Sequence, residues 1–97
     1  MTNLTDLEIA AMKICLNYDN RQTQLDDNYS NGGHREFMSG LKINRHASAA
    51  LCGSLETKGM AWNDDNEGNG HILWLTDEGV NVIFDIMEAA DTAVTHG

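Results

Sequence analysis

The side chains best suited to bind a metal ion are those of the histidines, the cysteines and the acidic residues of one loop. Their spacing does not favour a metal site. Cys15 and Cys52 form no Cys-x-x-Cys pair, and the four histidines include no pair separated by four residues, whereas zinc sites are built from closely spaced ligands. Residues 63–68 are acidic in the manner of a calcium loop, but Trp74 occupies the position where that loop needs a bidentate glutamate. We therefore expect no metal ion and no other cofactor.

The sequence also lacks the short motifs that carry nucleophilic or phosphate chemistry. Ser54 follows Gly53 but lies outside any Gly-x-Ser-x-Gly elbow, and the glycine-containing segment 68–71 has no lysine of a phosphate-binding loop. A chain of 97 residues forms a single domain, here residues 1–97, with no second lobe to close over a substrate. We expect a protein that is not an enzyme.

Cysteine content and hydropathy bear on the compartment. Two cysteines are too few for a disulfide framework, which indicates a reducing environment. The sequence has no run of about 18 apolar residues that could span a membrane. These features predict a cytoplasmic protein with no membrane partner.

Charge is distributed unevenly along the chain. Six basic and 15 acidic residues give a net charge of −9, but residues 34–58 hold four of the basic residues, while residues 59–97 hold eight acidic residues and no basic one. The net charge of the whole chain opposes binding to phosphate groups. A local basic patch can still bind them, because charges are screened beyond about 8 Å at physiological salt. The residues predicted to contact nucleic acid are Arg35, Lys42, Asn44, Arg45, His46, Ser48 and Lys58. The alternative is that these side chains only keep an exposed surface soluble.

A mainly helical chain must position these residues. Thr5 and Glu8 form the pattern of a capping box, which predicts a first helix from Thr5 to about Asn17. Apolar residues at helical spacing and a stop signal at Gly59 predict two further helices around a short turn. The predicted order after the first helix is a polar loop over 17–33 with at most one helical turn, a helix-turn-helix over 36–59, a β-hairpin over 60–75 and a last helix over 76–92. The expected fold class is mainly α with a small β-hairpin.

Two stretches of the chain resemble the winged helix-turn-helix of MarR-type transcription regulators. The segment Leu41–Met60 is similar to the helix-turn-helix of that family, whose recognition helix ends on leucines followed by a glycine. Leu51, Leu55, Lys58 and Gly59 occupy that ending here. The segment Trp74–Gly79, WLTDEG, resembles the Leu-Thr-x-x-Gly signature with which the family leaves its wing and enters the next helix.

The resemblance implies a winged-helix fold whose recognition helix enters the major groove, and hence a small DNA-binding, transcription-regulatory protein with duplex DNA as its partner. The wing of this chain is acidic, with Asp64, Asp65 and Glu67, where the family carries basic residues. The alternative function is an acidic inhibitor or nucleic-acid mimic that binds a basic partner protein, of the kind that phages and mobile elements direct at host machinery.

The last two predicted elements carry more apolar residues than one buried face needs. If Leu75 points into the core, Ile72 and Trp74 point away from it, because side chains alternate along a strand. Together with two residues of the last helix they predict a surface for a partner or a homodimer. This surface consists of Ile72, Trp74, Val82 and Ile86. The alternatives are that the last helix is buried deeply between the other elements, and that Trp62 pairs with Trp74 across the hairpin.

Overall fold

The computed structural model describes residues 3–27, 29–66 and 70–96, with side chains described over 3–27, 29–64 and 72–90. Its helices are α1 (Asp6–Ile14), α2 (Arg21–Asp27), α3 (His34–Leu41), α4 (Arg45–Thr57) and α5 (Asp77–His96), and its strands are β1 (Asn31–Gly33), β2 (Ala61–Asn66) and β3 (Gly70–Leu75). The expectation of a mainly helical chain with a small antiparallel β-structure is confirmed. Within the described residues, no helix is both long and apolar enough to cross a membrane.

The first helix begins as the sequence predicts. The Thr5 hydroxyl accepts a hydrogen bond from the Glu8 N–H at 3.1 Å, and the Thr5 N–H donates to Glu8 Oε1 at 2.8 Å, which completes the capping box. The helix ends at Ile14 rather than near Asn17. The chain beyond it is held instead by Gln24, whose Oε1 accepts a hydrogen bond from the Asn17 N–H at 2.8 Å.

The segment 17–33 is not the polar loop that its composition predicts, because it contains α2 and β1. Gln24 lies in α2, is fully buried and donates to Ser30 Oγ at 2.7 Å, which fixes α2 against the chain that enters β1. Gly32 in β1 packs against the ring of Phe37, and a Cβ at Gly32 would lie 3.1 Å from that ring. The glycine that suggests a loop is therefore the residue that lets a strand pass close to α3.

The three strands form one antiparallel sheet in the order β1-β3-β2. In the register of β2 with β3, Ala61 pairs with Leu75 and Trp62 pairs with Trp74. Ala61 and Leu75 are buried on the inner face of the sheet. Trp74 therefore lies on the outer face together with Ile72, as the alternation of side chains predicts.

The inner face of the sheet and the helices share one hydrophobic core. Its buried members are Ala11, Met12, Cys15, Phe37, Leu51, Cys52, Leu55, Met60, Ala61, Leu73, Leu75, Val80, Ile83 and Phe84. α5 begins after Thr76, whose hydroxyl accepts a hydrogen bond from the Gly79 N–H at 3.0 Å, and it continues to His96, beyond its predicted end at residue 92. A Cβ at Gly79 would lie only 2.0 Å from the carbonyl oxygen of Met60. The glycine of the WLTDEG segment thus lets α5 pack directly on the chain that enters β2.

Candidate nucleic-acid interface

The turn between α3 and α4 is short and closed by hydrogen bonds. Lys42 follows the last residue of α3, adopts a left-handed conformation (φ 56°, ψ 48°) and donates its N–H to the Met38 carbonyl. α4 starts after Asn44, whose side-chain oxygen accepts a hydrogen bond from the Ala47 N–H at 2.8 Å. Asparagine is among the preferred residues at this position. Residues 42–44 therefore join the two helices at the place where the sequence predicts a turn.

Most of the predicted contact residues lie on the surface of this helix-turn-helix. Arg35, Lys42, Arg45 and His46 are exposed, and none of their side chains forms an ion pair or hydrogen bond with another residue in the described part of the chain. Asn44 is also exposed, although its side-chain oxygen caps α4. Residues 42–46 are consecutive, and the positive end of the α4 dipole adds to their potential. This end of α4 is therefore suited to bind an anion.

Ser48 is not available to DNA, and this part of the prediction is wrong. The residue is fully buried, and its hydroxyl lies 2.7 Å from Nδ1 of the buried His34. The cause is helical spacing, because Ser48 shares the inner face of α4 with Leu51 and Leu55 of the core. The pair links α4 to the first residue of α3.

The Lys58 side chain binds Glu8 and is therefore not free to contact nucleic acid. Its Nζ lies 2.7 Å from Oε1 of Glu8, a residue that is only 2% exposed, and 2.8 Å from the Asn3 carbonyl oxygen. Ser54 donates to Glu8 Oε2 at 2.5 Å. Burial alone would raise the pKa of Glu8, but the hydrogen bonds from Lys58, from Ser54 and from the backbone outweigh it and lower that pKa to about 2. Lys58 neutralises a buried carboxylate, and its prediction as a contact residue is wrong.

The outward face of α4 has short side chains between two charged ends. Arg45 is exposed at the start of the helix and Glu56 is exposed near its end. Between them, Ala49 and Ala50 are exposed, and a Cβ at Gly53 would meet nothing within 4 Å. The middle of this face is therefore flat, and a nucleic-acid groove can approach it closely.

Arg21, the arginine that lies outside the helix-turn-helix, pairs with α5 at the surface of the protein. Arg21 at the start of α2 forms ion pairs with Asp85, at 2.6 Å, and with Glu88, both in α5. It also donates to Asn81 Oδ1 at 3.3 Å, and its guanidinium lies 5.9 Å from the centre of the Phe84 ring. Arg21 thereby fastens α2 to α5 and adds nothing to the charge of the helix-turn-helix.

Trp62 and Trp74 stack across the hairpin, which confirms the pairing that the sequence offers as an alternative to a partner surface. Their ring centres are 5.7 Å apart and their planes differ by 8°. Val82, predicted to share a surface with Trp74, packs instead against the hydrophobic core, because α5 contacts α1, α2 and β3. Ile86 is half-buried on α5. Of the four predicted surface residues, Ile72 and Trp74 are the two that lie on the outer sheet face.

Within the described residues, no group of three His, Cys, Asp or Glu side chains is arranged to hold a metal ion. Cys15 and Cys52 are buried free thiols, and burial raises the pKa of Cys15 to about 12, which keeps it protonated. In β2, the first strand of the hairpin predicted to be an acidic wing, Asp64 is partly exposed. Glu67 and the side chain of Asp65 lie outside the part that the structure describes.

A groove of about 1060 Å³ lies between the end of α1, the loop that follows it, and α5. Phe84 and Met87 supply part of its apolar lining, and Arg21 and Tyr18 part of its polar lining. Arg21 is bound to α5, and the Tyr18 hydroxyl donates to Asp27 Oδ2 at 3.0 Å. Both groups are therefore engaged in contacts within the fold.

The elements around the turn follow one another as helix, turn, helix and hairpin, and β1 adds a third strand from the chain before α3. No protein-family model, no curated protein and no solved structure matches this chain. The best candidate for a binding site in the described part of the chain is the start of α4 with the exposed residues of its turn.

Proposed function

We propose that this protein is a small winged-helix protein that binds duplex DNA through the first turn of α4 and acts in transcription regulation. The observation that carries the proposal is that the side chains of Lys42, Arg45 and His46 are exposed and form no ion pair or hydrogen bond within the described residues. Arg21 and Lys58, in contrast, are paired with acidic side chains of the same chain. Folding thus leaves most of the uncompensated positive charge on the helix-turn-helix. The order of the elements from α3 to α5 supports the same proposal, because it follows the plan of a helix-turn-helix with a wing.

The shape of α4 suits the major groove. That groove is about 12 Å wide in B-DNA and admits an α-helix. The short side chains of Ala49 and Ala50 and the open space beside Gly53 allow the helix to approach the base edges. Arg45 can then donate to phosphate oxygens or to guanine, and the alanine methyl groups can contact thymine methyl groups.

The hairpin contributes less to DNA affinity than the helix-turn-helix. β2 carries the partly exposed Asp64, and residues 59–97 contain no lysine or arginine. A carboxylate close to a phosphate is repelled by it. We therefore expect few phosphate contacts and an affinity that is appreciable only at low salt.

The test is a fluorescence-anisotropy titration of a labelled duplex at several salt concentrations. Each neutralised phosphate contributes about −0.9 to the slope of log K against log salt, so contacts from Arg35, Lys42 and Arg45 predict a slope of about −2 to −3. Arg45→Ala should weaken binding and make the slope shallower by about one unit. Lys13→Ala is the matched control, because it removes an exposed cation from α1 and should leave binding unchanged.

Two results would overturn the proposal. One is the absence of duplex binding by the folded protein even at about 50 mM salt. The other is an equal loss of affinity in Arg45→Ala and Lys13→Ala, which would show that net charge and not the helix-turn-helix determines binding.

A second candidate function is the acidic inhibitor or nucleic-acid mimic that binds a basic partner protein. The observation in its favour is the exposure of Asp77 and Glu78 at the start of α5, within residues 59–97, which contain no lysine or arginine. This function requires the protein to compete with DNA for a basic protein and not to bind duplex itself. The salt titration therefore separates the two candidates.

A further inference from the structure

The sheet carries an exposed aromatic surface that DNA binding by α4 does not use. We define the outer sheet face by Tyr29, Trp62, Asp64, Ile72 and Trp74. In the strand register Trp62 lies opposite Trp74 and Asp64 lies opposite Ile72, so these four side chains share one side of the sheet. Trp62 is 47% exposed and Tyr29 is 60% exposed. Large aromatic side chains at a surface are typical of interaction sites.

Trp62 presents one side of its ring to solvent. Trp74 covers the other side, since the two rings are nearly parallel with centres 5.7 Å apart. Trp74 is in turn contacted by Tyr29, with ring centres 5.9 Å apart and planes at 47°. These contacts hold the exposed indole in one orientation, so a ligand that stacks on it meets a preformed surface.

Asp64 adds a negative charge beside this ring. It follows Trp62 by two residues on the same side of β2, which corresponds to about 7 Å along a strand. Its side chain is partly exposed and forms no ion pair or hydrogen bond within the described part of the chain. The absence of lysine and arginine from residues 59–97 leaves no nearby cation in the sequence to neutralise it. The outer sheet face therefore combines an open π surface with an uncompensated carboxylate.

We propose that the outer sheet face docks an arginine-bearing basic segment of a partner protein. A guanidinium group is planar, stacks on indole rings and donates two parallel hydrogen bonds to a carboxylate. One arginine can therefore stack on Trp62 and pair with Asp64. Ile72, opposite Asp64, offers apolar surface to the aliphatic part of the same side chain.

Charge complementarity selects this occupant over two others. A second copy of the chain would bring a net charge of −9 and its own Asp64 to a symmetric interface, where like charges repel. A single-stranded nucleic acid could stack a base on Trp62, but its phosphates would then lie near Asp64. A cationic peptide is not repelled by Asp64 in either of these ways.

The partner docks on the face of the sheet and does not extend it by another strand. β2 is an edge strand, and the Asn63 N–H is bound by Glu56 Oε2 at 3.3 Å. The Asn63 side chain also donates to Glu56 Oε1 at 3.4 Å. Glu56 thereby occupies the Asn63 N–H, one of the edge backbone groups that strand addition needs.

The experiment uses a labelled synthetic peptide of alternating glycine and arginine, and a matched peptide with citrulline in place of arginine. Citrulline keeps the planar group and removes its charge. Binding is followed by anisotropy of the label and by the fluorescence of the two tryptophans. We expect the arginine peptide to bind at least about fivefold more tightly than the citrulline peptide.

Substitutions then locate the peptide on the outer sheet face. Asp64→Asn should weaken binding of the arginine peptide about threefold to fivefold, and Trp62→Leu should weaken it at least about fivefold. Asp19→Asn is the matched control, because it removes the same charge from an exposed loop position and should change nothing. Arg45→Ala should also leave peptide binding unchanged, which makes this result independent of DNA binding.

Four outcomes would overturn the inference. Equal binding of the arginine and citrulline peptides, or equal affinities of Asp64→Asn and Asp19→Asn, would remove the role of charge. Tighter binding of oligothymidylate than of the arginine peptide, lost in Trp62→Leu, would assign the face to nucleic-acid bases. Self-association in sedimentation that Trp62→Leu abolishes would assign it to a second copy. If Trp62→Leu does not fold, the peptide pair and Asp64→Asn still test the role of charge, and oligothymidylate binding and sedimentation of the wild type still test the other two occupants.

Discussion

Glu8 in the first turn of α1 and Lys58 at the end of α4 form an ion pair, with Oε1 and Nζ 2.7 Å apart. The same Glu8 oxygen accepts the Thr5 N–H that completes the α1 capping box. One carboxylate thus both starts α1 and anchors α4, although the two partners are 50 residues apart in the sequence. Because Glu8 is buried, the stability of the fold depends on this contact far more than on an exposed ion pair.

Lys58→Ala should destabilise the protein by about 2–4 kcal/mol. The substitution leaves Glu8 buried without its cation, which costs more than the pair contributes as an attraction. A domain of this size loses about 4–8 °C of melting temperature per kcal/mol. The measurement is urea unfolding followed by circular dichroism. Lys13→Ala, which removes an exposed lysine, should shift stability by less than about 0.5 kcal/mol, and equal effects of the two variants would contradict a buried pair.

Acid should destabilise the wild type through Glu8. The pKa of Glu8 is about 2 in the folded protein and its ordinary value is 4.5, so the unfolded chain takes up the proton first as the pH falls. The contribution of Glu8 to stability is therefore complete above about pH 4.5, declines as the pH falls through the folded pKa, and amounts to about 3 kcal/mol.

Glu8→Gln isolates this contribution, because glutamine cannot titrate. Urea midpoints of the wild type and Glu8→Gln should converge as the pH is lowered from about 5 to about 2. Parallel curves over that interval would mean that the carboxylate is not held by Lys58 and Ser54. Asp6 is an exposed residue in the same turn, and Asp6→Asn should show the same dependence of the urea midpoint on pH as the wild type.

Local signals predict the elements of this fold well, and contacts between distant segments explain where they fail. Thr5 and Glu8 indicate the start of α1 because a capping box needs only three successive residues beyond its cap. Gly32 reads as part of a loop, since nothing local shows that β3 will pair with it and that Phe37 requires a residue without a side chain. The strand is imposed by tertiary packing, which overrides local preference.

In the candidate site, too, local sequence predicts some residues correctly, while contacts between distant segments determine others. Arg35, Lys42, Arg45 and His46 are exposed, as a polar helix surface predicts. Lys58 binds Glu8, which lies 50 residues away in the sequence, and the sequence neighbours of Lys58 give no sign of this contact. Ser48 differs, because it lies three residues before Leu51 and seven before Leu55, on the apolar stripe of α4. That spacing was sufficient to place it in the core.

Ser48→Ala should lower stability without changing DNA affinity. The substitution removes the hydroxyl that lies 2.7 Å from His34 Nδ1 in the buried interior, and losing a partner there costs about 1–2 kcal/mol. The fully buried hydroxyl does not reach a bound duplex, so duplex affinity at a temperature where the variant is folded should equal that of the wild type. Urea unfolding and duplex anisotropy measure the two effects. A weaker duplex affinity at unchanged stability would place Ser48 at the interface after all.

Gly53 and Gly79 both lie in helices, and alanine at the two positions should act in opposite directions. A Cβ at Gly53 meets nothing within 4 Å, so Gly53→Ala should stabilise α4 by about 0.5–1 kcal/mol through its lower backbone entropy in the unfolded chain. A Cβ at Gly79 would lie 2.0 Å from the backbone carbonyl oxygen of Met60. Because a backbone atom cannot rotate away as a side chain can, Gly79→Ala must push α5 away from the start of β2, and we expect a loss of stability of at least about 2 kcal/mol.

Thermal unfolding of both variants beside the wild type tests this prediction. Gly53→Ala should have a higher melting temperature than the wild type, and Gly79→Ala should have one lower by roughly 10 °C or more. If Gly79→Ala melted with the wild type, α5 would not pack on Met60, and the glycine of the WLTDEG segment would have another role.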